Sequence, residues 1–306
     1  GIDAAFGAAG NAAPPHFNAH YAYFSSYSES WLDHASRFAV DMQRELSLGP
    51  CSSVVEIGSN DGYLLKYFKA AGIPVLGIEP SANVAEAAMR QHGIKTVVKF
   101  FNLATSCELA DDGQAADLIV ANNVLAHVPD LNSFVAGFKR LLKPQGTITF
   151  EFPHLLRLLA ECQFDTIYHE HYSYLSLAVV ERMLAAHQLE AYAVESLPTH
   201  GGSLRLFARH QGAVVERAYG SEGLARVRSE EAAFGLDQRE IYAAFAKEVH
   251  RRKFELLEFL IAAKKDGKTV LGYGAPAKGN TLLNYCGIGP ELLAYTVDRS
   301  PFKQGR

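Results

Sequence analysis

Hydrophobic and polar positions change period along this chain, and the changes divide it into elements. Trp31, Ala35, Phe38 and Met42 recur at helical spacing on one face, after the capping pattern Ser30-Trp31-Leu32-Asp33 and before the stop Gly49-Pro50. An amphipathic helix is predicted there. Beyond it, short apolar runs at Val54–Ile57, Val75–Ile78, Thr96–Val98, Asp117–Ala121 and Thr147–Phe152 read as strands. Helical patterns lie between them and end near Ala71, Gln91, Leu109 and Leu142, the last followed by the turn Pro144-Gln145-Gly146. Strand–helix alternation predicts a parallel sheet. After a helix over 176–186, runs at Ala191–Val194 and Ser203–Arg209 flank Gly201-Gly202, which predicts an antiparallel pair closing that sheet.

Residues 1–20 are small, rich in Gly, Ala and Pro, and aperiodic, as in a tail. A leading segment and helix over 21–50 and a sheet domain over 51–211 follow. Residues 212–266 are charged and helix-prone, with Ile241, Phe245, Val249, Leu256 and Leu257 as one apolar stripe, and read as a helical connector. A second α/β unit occupies 267–306: strand Thr269–Gly272, a helix from Lys278 to Tyr285, and strand Leu293–Val297 ending on Asp298. One βαβ cannot cover both faces of its sheet, so this unit is expected to dock on the first domain or to continue in a longer protein.

Between the first strand and its helix stands Glu56-Ile57-Gly58-Ser59-Asn60-Asp61-Gly62, the context in which a glycine loop binds a nucleotide. Gly58 permits the tight turn and Gly62 lets helix and strand approach. Asn60 replaces a glycine, and Asn adopts the left-handed conformation at low cost. Glu79, followed by Pro80, comes twenty-one residues after Gly58 at the end of the second strand, where a carboxylate accepts from two ribose hydroxyls. Nicotinamide and S-adenosylmethionine sites share that acid. The loop separates them: Glu56, Ser59, Asn60 and Asp61 make it polar and acidic, hostile to pyrophosphate and suited to an ammonium and a sulfonium. Ligands bind beyond the carboxyl ends of strands, so Asn122, Asn123 and His127, after the fourth strand, should border the reacting group.

Composition narrows the classes. Of 306 residues, 48% are hydrophobic and 20% charged, and no apolar run approaches the ~20 residues of a membrane span. A net charge of -4 without a basic cluster gives no nucleic-acid footprint. Cys51, Cys107, Cys162 and Cys286 are too scattered for a compact metal set, so no metal is expected. The same scatter and the lack of a leader pattern make the cytoplasm the default location.

The densest chemistry is Tyr168-His169-Glu170-His171-Tyr172, where imidazole and phenol can transfer protons and a neighbouring carboxylate can raise imidazole basicity. Its His spacing is not that of helical H-E-x-x-H zinc sites. A second loop, Gly272-Tyr273-Gly274-Ala275-Pro276-Ala277-Lys278-Gly279-Asn280, opens the last helix. It lacks the acid of the first and offers backbone N–H groups and Lys278, which suit a pyrophosphate.

Six motifs resemble, in order, the C-methyltransferases of branched deoxysugar biosynthesis: Tyr23-Phe24-Ser25-Ser26-Tyr27-Ser28, Glu56 to Gly62, Asn122-Asn123-Val124-Leu125-Ala126-His127, Tyr168 to His171, His200-Gly201-Gly202-Ser203 and Gly272 to Asn280. The resemblance implies a class I methyltransferase fold: a Rossmann-like mixed seven-stranded sheet, a helical connector and a second, smaller α/β unit. It implies S-adenosylmethionine as methyl donor, held by Glu56, Gly58, Ser59, Asn60, Asp61, Gly62, Glu79, Pro80, Asn122 and Asn123. The implied acceptor is C3 of a dTDP-linked 4-keto-deoxysugar, contacted by His200, Gly201, Gly202, Ser203, Gly272, Gly274, Lys278 and Asn280. His171 is the expected base, with Glu170 orienting it, Tyr168 and His127 donating to oxygens of the enolate or sugar, and Tyr23 capping the pocket. The family's N-terminal Cys-rich zinc domain is not found before Tyr21, and its pattern is expected to continue past residue 306. A monomer acting on a small molecule, without nucleic-acid or membrane partners, is expected. An O- or N-methyltransferase and an NAD-linked sugar-nucleotide oxidoreductase are the alternatives.

Overall fold

The computed structural model describes residues 24–213, 222–298 and 303–305. A 3-10 turn over Ser25–Tyr27 leads into helix α1 (Glu29–Glu45). Its cap is Ser28, whose hydroxyl accepts the Trp31 N–H at 3.3 Å, so the helix starts before the Ser30 pattern placed it. Ser28 wins because it stands three residues ahead of that amide in extended backbone, whereas Ser30 is already helical.

Seven strands form one sheet: β1 (Val54–Ile57), β2 (Val75–Ile78), β3 (Thr96–Val97), β4 (Ala116–Asn122), β5 (Leu142–Pro153), β6 (Leu189–Leu197) and β7 (Ser203–His210). Their order is β3-β2-β1-β4-β5-β7-β6. The first five run parallel, and β7 lies antiparallel between β5 and β6. β5 begins at Leu142, opposite Ala116, so Pro144-Gln145-Gly146 lies within the strand rather than in a separate turn. A register shift between Ala116 and Leu118 absorbs the surplus residues as a bulge, which needs no N–H from proline.

Alternation along the strands builds two cores. Val54, Leu118 and Val120 face Ala35, Phe38 and Met42 of α1 and Leu65 and Phe68 of α2 (Leu65–Ala70). Val55, Ile57, Ile119 and Ala121 share the opposite core with α4 (Leu103–Asp111), α5 (Leu131–Leu141) and α7 (Leu177–Ala186). Helix α3 (Ala82–His92) crosses from β2 to β3, and α6 (Leu155–Ala160) follows β5. The carboxyl ends of the strands are left to hold the site.

The connector holds two helices, α8 (Glu222–Phe234) and α9 (Arg239–Lys265). Leu224 and Val227 of α8 are buried in the sheet's own core. Glu231, also buried, accepts the N–H groups of Leu177 and Ala178 at 2.5 and 3.1 Å and lies 2.8 Å from His154 Nε2. A residue of α8 thus caps α7, alongside Ser176, whose hydroxyl accepts the Val179 N–H. The last unit is a parallel pair, β8 (Gly272–Tyr273) and β9 (Thr296–Val297), joined through α10 (Ala277–Cys286). β8 is shorter than, and shifted from, the predicted Thr269–Gly272. Among the described residues no helix is long and apolar enough to cross a membrane.

Candidate active site

The first glycine loop has the left-handed geometry its sequence demands: φ is 69° at Gly58, 48° at Asn60 and 79° at Gly62. A Cβ on Gly62 would stand 2.6 Å from Ile94 Cδ1, so only glycine lets the loop close against the next βα unit. Glu79 clamps the loop from the end of β2. One carboxylate oxygen accepts the Asn60 N–H at 3.1 Å and the other the Ser81 N–H at 2.9 Å. The leading 3-10 turn closes over the same loop: Ser25 N–H donates to Asn60 Oδ1 at 2.9 Å and Ser26 N–H to Asp61 Oδ2 at 3.2 Å. Tyr23 lies outside the described residues.

The loop is rich in buried acceptors. Ser59 Oγ, Asp61 Oδ1, Asn122 Oδ1 and Asn123 Oδ1 have no hydrogen-bond partner among the described residues. Glu56 is fully buried beside the Tyr63 hydroxyl. Desolvation, then the charges of Asp61 and Glu79, push its carboxyl well above the usual range against the pull of Tyr63. Glu79 is raised too, again chiefly by burial. Clustered carboxylates and unsatisfied oxygens suit a cationic ligand carrying donors. S-adenosylmethionine offers an ammonium, a sulfonium and two ribose hydroxyls, so these residues fit it.

A polar rung crosses the sheet where β4, β5, β7 and β6 pair: Asn122 opposite Glu151, Glu151 opposite Arg205, and Arg205 opposite Glu195. Glu151 is fully buried and meets Arg205 at 3.0 Å, His34 of α1 at 2.8 Å and the Thr199 hydroxyl at 2.8 Å. The hydrophobic pattern does not announce this network. Its signal is the presence of charges inside apolar strand runs, Phe150-Glu151-Phe152 and Leu204-Arg205-Leu206, which burial obliges to find partners. Through Thr199 it fixes the turn that carries His200, held in left-handed backbone at φ 53° with its ring edge-on to Trp31 at 5.3 Å. His200 is exposed as a residue, yet protein crowds its ring. Desolvation pushes its pKa down, against Glu151 and together with Lys278, His34 and His171.

Beyond the carboxyl ends of β4 and β5 the expected proton-transfer groups meet. The His171 ring lies 4.3 Å from that of Tyr168 and 4.8 Å from that of His127, centre to centre. Tyr172 N–H donates to the Ala126 carbonyl at 2.8 Å, tying the two loops together. His171 Nδ1 faces the Thr166 carbonyl at 2.8 Å. A carbonyl only accepts, so Nδ1 carries the proton and the neutral ring keeps its lone pair on Nε2. Desolvation holds the His171 pKa below the ordinary value, against the Thr166 bond and the Glu170 charge and with Lys278 lowering it further. The ring is therefore oriented by a backbone carbonyl, and Glu170, expected to orient it, acts only as a nearby charge.

In the second loop Gly274 has φ 93°. The loop carries no acid of its own, but Asp298, just after β9, accepts the Ala275 N–H at 2.8 Å. The arrangement repeats that of Glu79 on Asn60, a relation hidden in sequence because helix and loop separate the partners. Lys278 stands in the first turn of α10, and Asn280, two residues on, is exposed. Gly201, Gly202 and Ser203 lie at the start of β7, where the Ser203 hydroxyl donates to the Thr199 carbonyl at 2.9 Å. Pro80 follows Glu79 at the cofactor loop. Among the described residues no cluster of three or more His, Cys, Asp or Glu is placed to hold a metal ion.

Sheet order, glycine loop and strand-end acid define an S-adenosylmethionine-dependent methyltransferase, and a methyltransferase-domain family matches residues 23–194. A second family, the C-methyltransferase C-terminal domain, matches residues 198–306. C-methyltransferase NovU of Streptomyces niveus is 35% identical over 288 residues, covering 94% of this chain and 67% of that protein. The chain belongs to this C-methyltransferase family, which sets aside the oxidoreductase alternative. A ubiquinone biosynthesis O-methyltransferase of Rhodopseudomonas palustris is 31% identical over 94 residues, 30% of this chain and 36% of that one. Among solved structures, the PH0226 protein from Pyrococcus horikoshii OT3 aligns with 62% of this chain and 95% of its own at 14% identity and a TM-score of 0.49.

Proposed function

We propose that the chain methylates a carbon beside the ketone of a nucleotide-linked 4-keto-deoxysugar, through a base-generated enolate. The single observation carrying this reading is the His171 imidazole, held by the Thr166 carbonyl on Nδ1 so that Nε2 is left unprotonated, with its ring against those of Tyr168 and His127. Nε2 takes the proton α to the ketone, and the C–H electron pair becomes the enolate. Tyr168 and His127 donate to the enolate oxygen. Bound S-adenosylmethionine supplies an electrophilic methyl group whose C–S electron pair departs with sulfur. Asn122, Asn123 and the acidic loop would hold the donor and keep it oriented. An imidazole base would serve an oxygen or nitrogen acceptor as well, so carbon is supported here by the C-methyltransferase family and its relative NovU.

The dTDP carrier and the C3 position rest on the resemblance of the motifs. Lys278 and the Gly272–Asn280 loop receive the pyrophosphate in this reading, with His200 to Ser203 against the sugar. The sheet domain over 51–211 binds the methyl donor, the unit over 267–306 the nucleotide, and 212–266 joins them in a cytoplasmic monomer.

The test is deuterium exchange at the substrate α-carbon, in heavy water with S-adenosylhomocysteine bound, read by mass spectrometry. Wild type exchanges. His171→Asn loses exchange and methylation together, by about a hundred- to ten-thousand-fold, while cofactor affinity is retained. Wild-type exchange in His171→Asn would move the base role to His127 or Tyr168.

A further inference from the structure

The base is held by a turn that the C-terminal unit touches. Thr166 ends the 3-10 turn Phe164–Thr166, and its own hydroxyl and N–H both bond back to the Gln163 carbonyl, at 2.8 and 3.2 Å. Gln163 Nε2 donates to the Gly201 carbonyl at 2.6 Å, so the same turn is pinned to the segment carrying His200. On its other side the Phe164 ring packs against Tyr285 of α10, with centroids 5.2 Å apart. Tyr285 is fixed in turn by Lys253 of α9, which lies over its ring at 5.2 Å and donates to its carbonyl at 2.9 Å. Helix α10 therefore has two ends with different duties. Its first turn carries Lys278 beside the second glycine loop, and its last turn buttresses the turn that orients His171.

We propose that Tyr285 and Phe164 are positioning residues that couple the C-terminal unit to the base, because their packing keeps the Thr166 carbonyl on His171 Nδ1. Docked α10 selects the tautomer with Nε2 unprotonated. When the two rings no longer pack together, the turn relaxes, the imidazole turns free of its acceptor, and Nε2 takes up the proton in part of the population. Filling the Gly272–Asn280 loop steadies the same helix, so nucleotide binding and base orientation favour each other. The inference rests on His171 being the base, but its test does not need that reaction.

The full chain, labelled with 15N-histidine and free of substrate, is compared as wild type, Tyr285→Phe, Tyr285→Ala and Phe164→Leu, with His171→Asn used to assign the His171 signals. Long-range proton–nitrogen correlation reads which ring nitrogen is protonated. Wild type and Tyr285→Phe are expected to show the Nδ1–H form. Tyr285→Ala and Phe164→Leu are expected to show a growing Nε2–H fraction and an α-proton exchange rate lower by about tenfold or more, with unchanged affinity for S-adenosylhomocysteine. The two variants approach the ring pair from opposite sides, so if one fails to fold the other decides. Retention of the Nδ1–H form in a folded Tyr285→Ala or Phe164→Leu overturns the proposal. A wild type that exchanges no α-proton would sink the base reading instead and leave the tautomer comparison decisive.

Discussion

His34 and Glu151 are 117 residues apart in the chain and 2.8 Å apart in the fold. With Arg205 they form a triad, buried but for the half-buried His34, on the face of the sheet that α1 covers, and Trp31 stacks on His34 at 4.9 Å. Burial would raise the Glu151 pKa, but the His34 hydrogen bond and the Arg205 charge outweigh it and hold the carboxyl below its usual range. A depressed folded value means that the triad's stabilisation is present above the unfolded pKa and is lost as pH falls through the folded one. Glu151→Gln should cost about 3 kcal/mol by leaving Arg205 with Glu195, at 3.3 Å and more exposed, as its remaining carboxylate partner. It should also flatten the stability curve below a pH of about 4.3. Denaturant melts at neutral and acid pH measure both, and a variant as stable as wild type at neutral pH would show the triad to be energetically idle.

Glu79 clamps the loop through Asn60 and Ser81, and in the proposed site it also accepts from the ribose. Glu79→Ala removes both and should weaken S-adenosylmethionine binding by about 1–3 kcal/mol. Glu79→Gln keeps part of the clamp and should lie between it and wild type. Isothermal titration gives the ranking, and equal affinity in all three proteins would remove Glu79 from the site.

Cofactor binding should release protons. The carboxyls of Glu56 and Glu79 are raised in the free protein, first by burial and then, against neighbouring donors, by their like-charged neighbours. A bound ammonium and sulfonium favour the ionised forms. Affinity should therefore climb with pH through the region above the ordinary Glu pKa of about 4.3. Titrations in buffers of different ionisation enthalpy count the protons, and zero release across mildly acid pH would contradict the electrostatics described.

The acid limb of the methylation rate should fall below the ordinary histidine pKa of about 6.5, because desolvation depresses His171 and only its neutral form is a base. A pH–rate profile under cofactor saturation locates the limb. Placement above 6.5 would mean that another group governs proton transfer.

The donor half of the site is legible in the sequence because its determinants are local. A strand, a glycine loop with Asn60 in place of glycine, and Glu79 at the next strand end lie within one βαβ unit. The antiparallel closure by β6 and β7 is also readable, from alternation around Gly201-Gly202. What escapes are relations across the fold. Thr166 acts through its carbonyl, which no side-chain pattern announces. His34, Glu151 and Arg205 come from a helix and two strands and converge only when the sheet is assembled. Asp298 is visible as a residue, but its partner Ala275 N–H lies across a helix. The shifted start of β5 reflects register, which hydrophobic spacing does not encode once a bulge intervenes.

The cap that Glu231 places on α7 bears on how the chain is made. Synthesis proceeds from the N-terminus at about 5–20 residues per second, so α7 leaves the ribosome some fifty residues ahead of the carboxylate that completes its first turn. Until α8 emerges, the Leu177 and Ala178 amides lack the Glu231 carboxylate, and the core around Leu184 lacks the wall that Leu224 and Val227 supply. All seven strands, from Val54 to His210, are thus translated before the helix that completes the cap on α7. The last helix packed on the sheet therefore gains its full N-terminal cap only after the following helix has been translated.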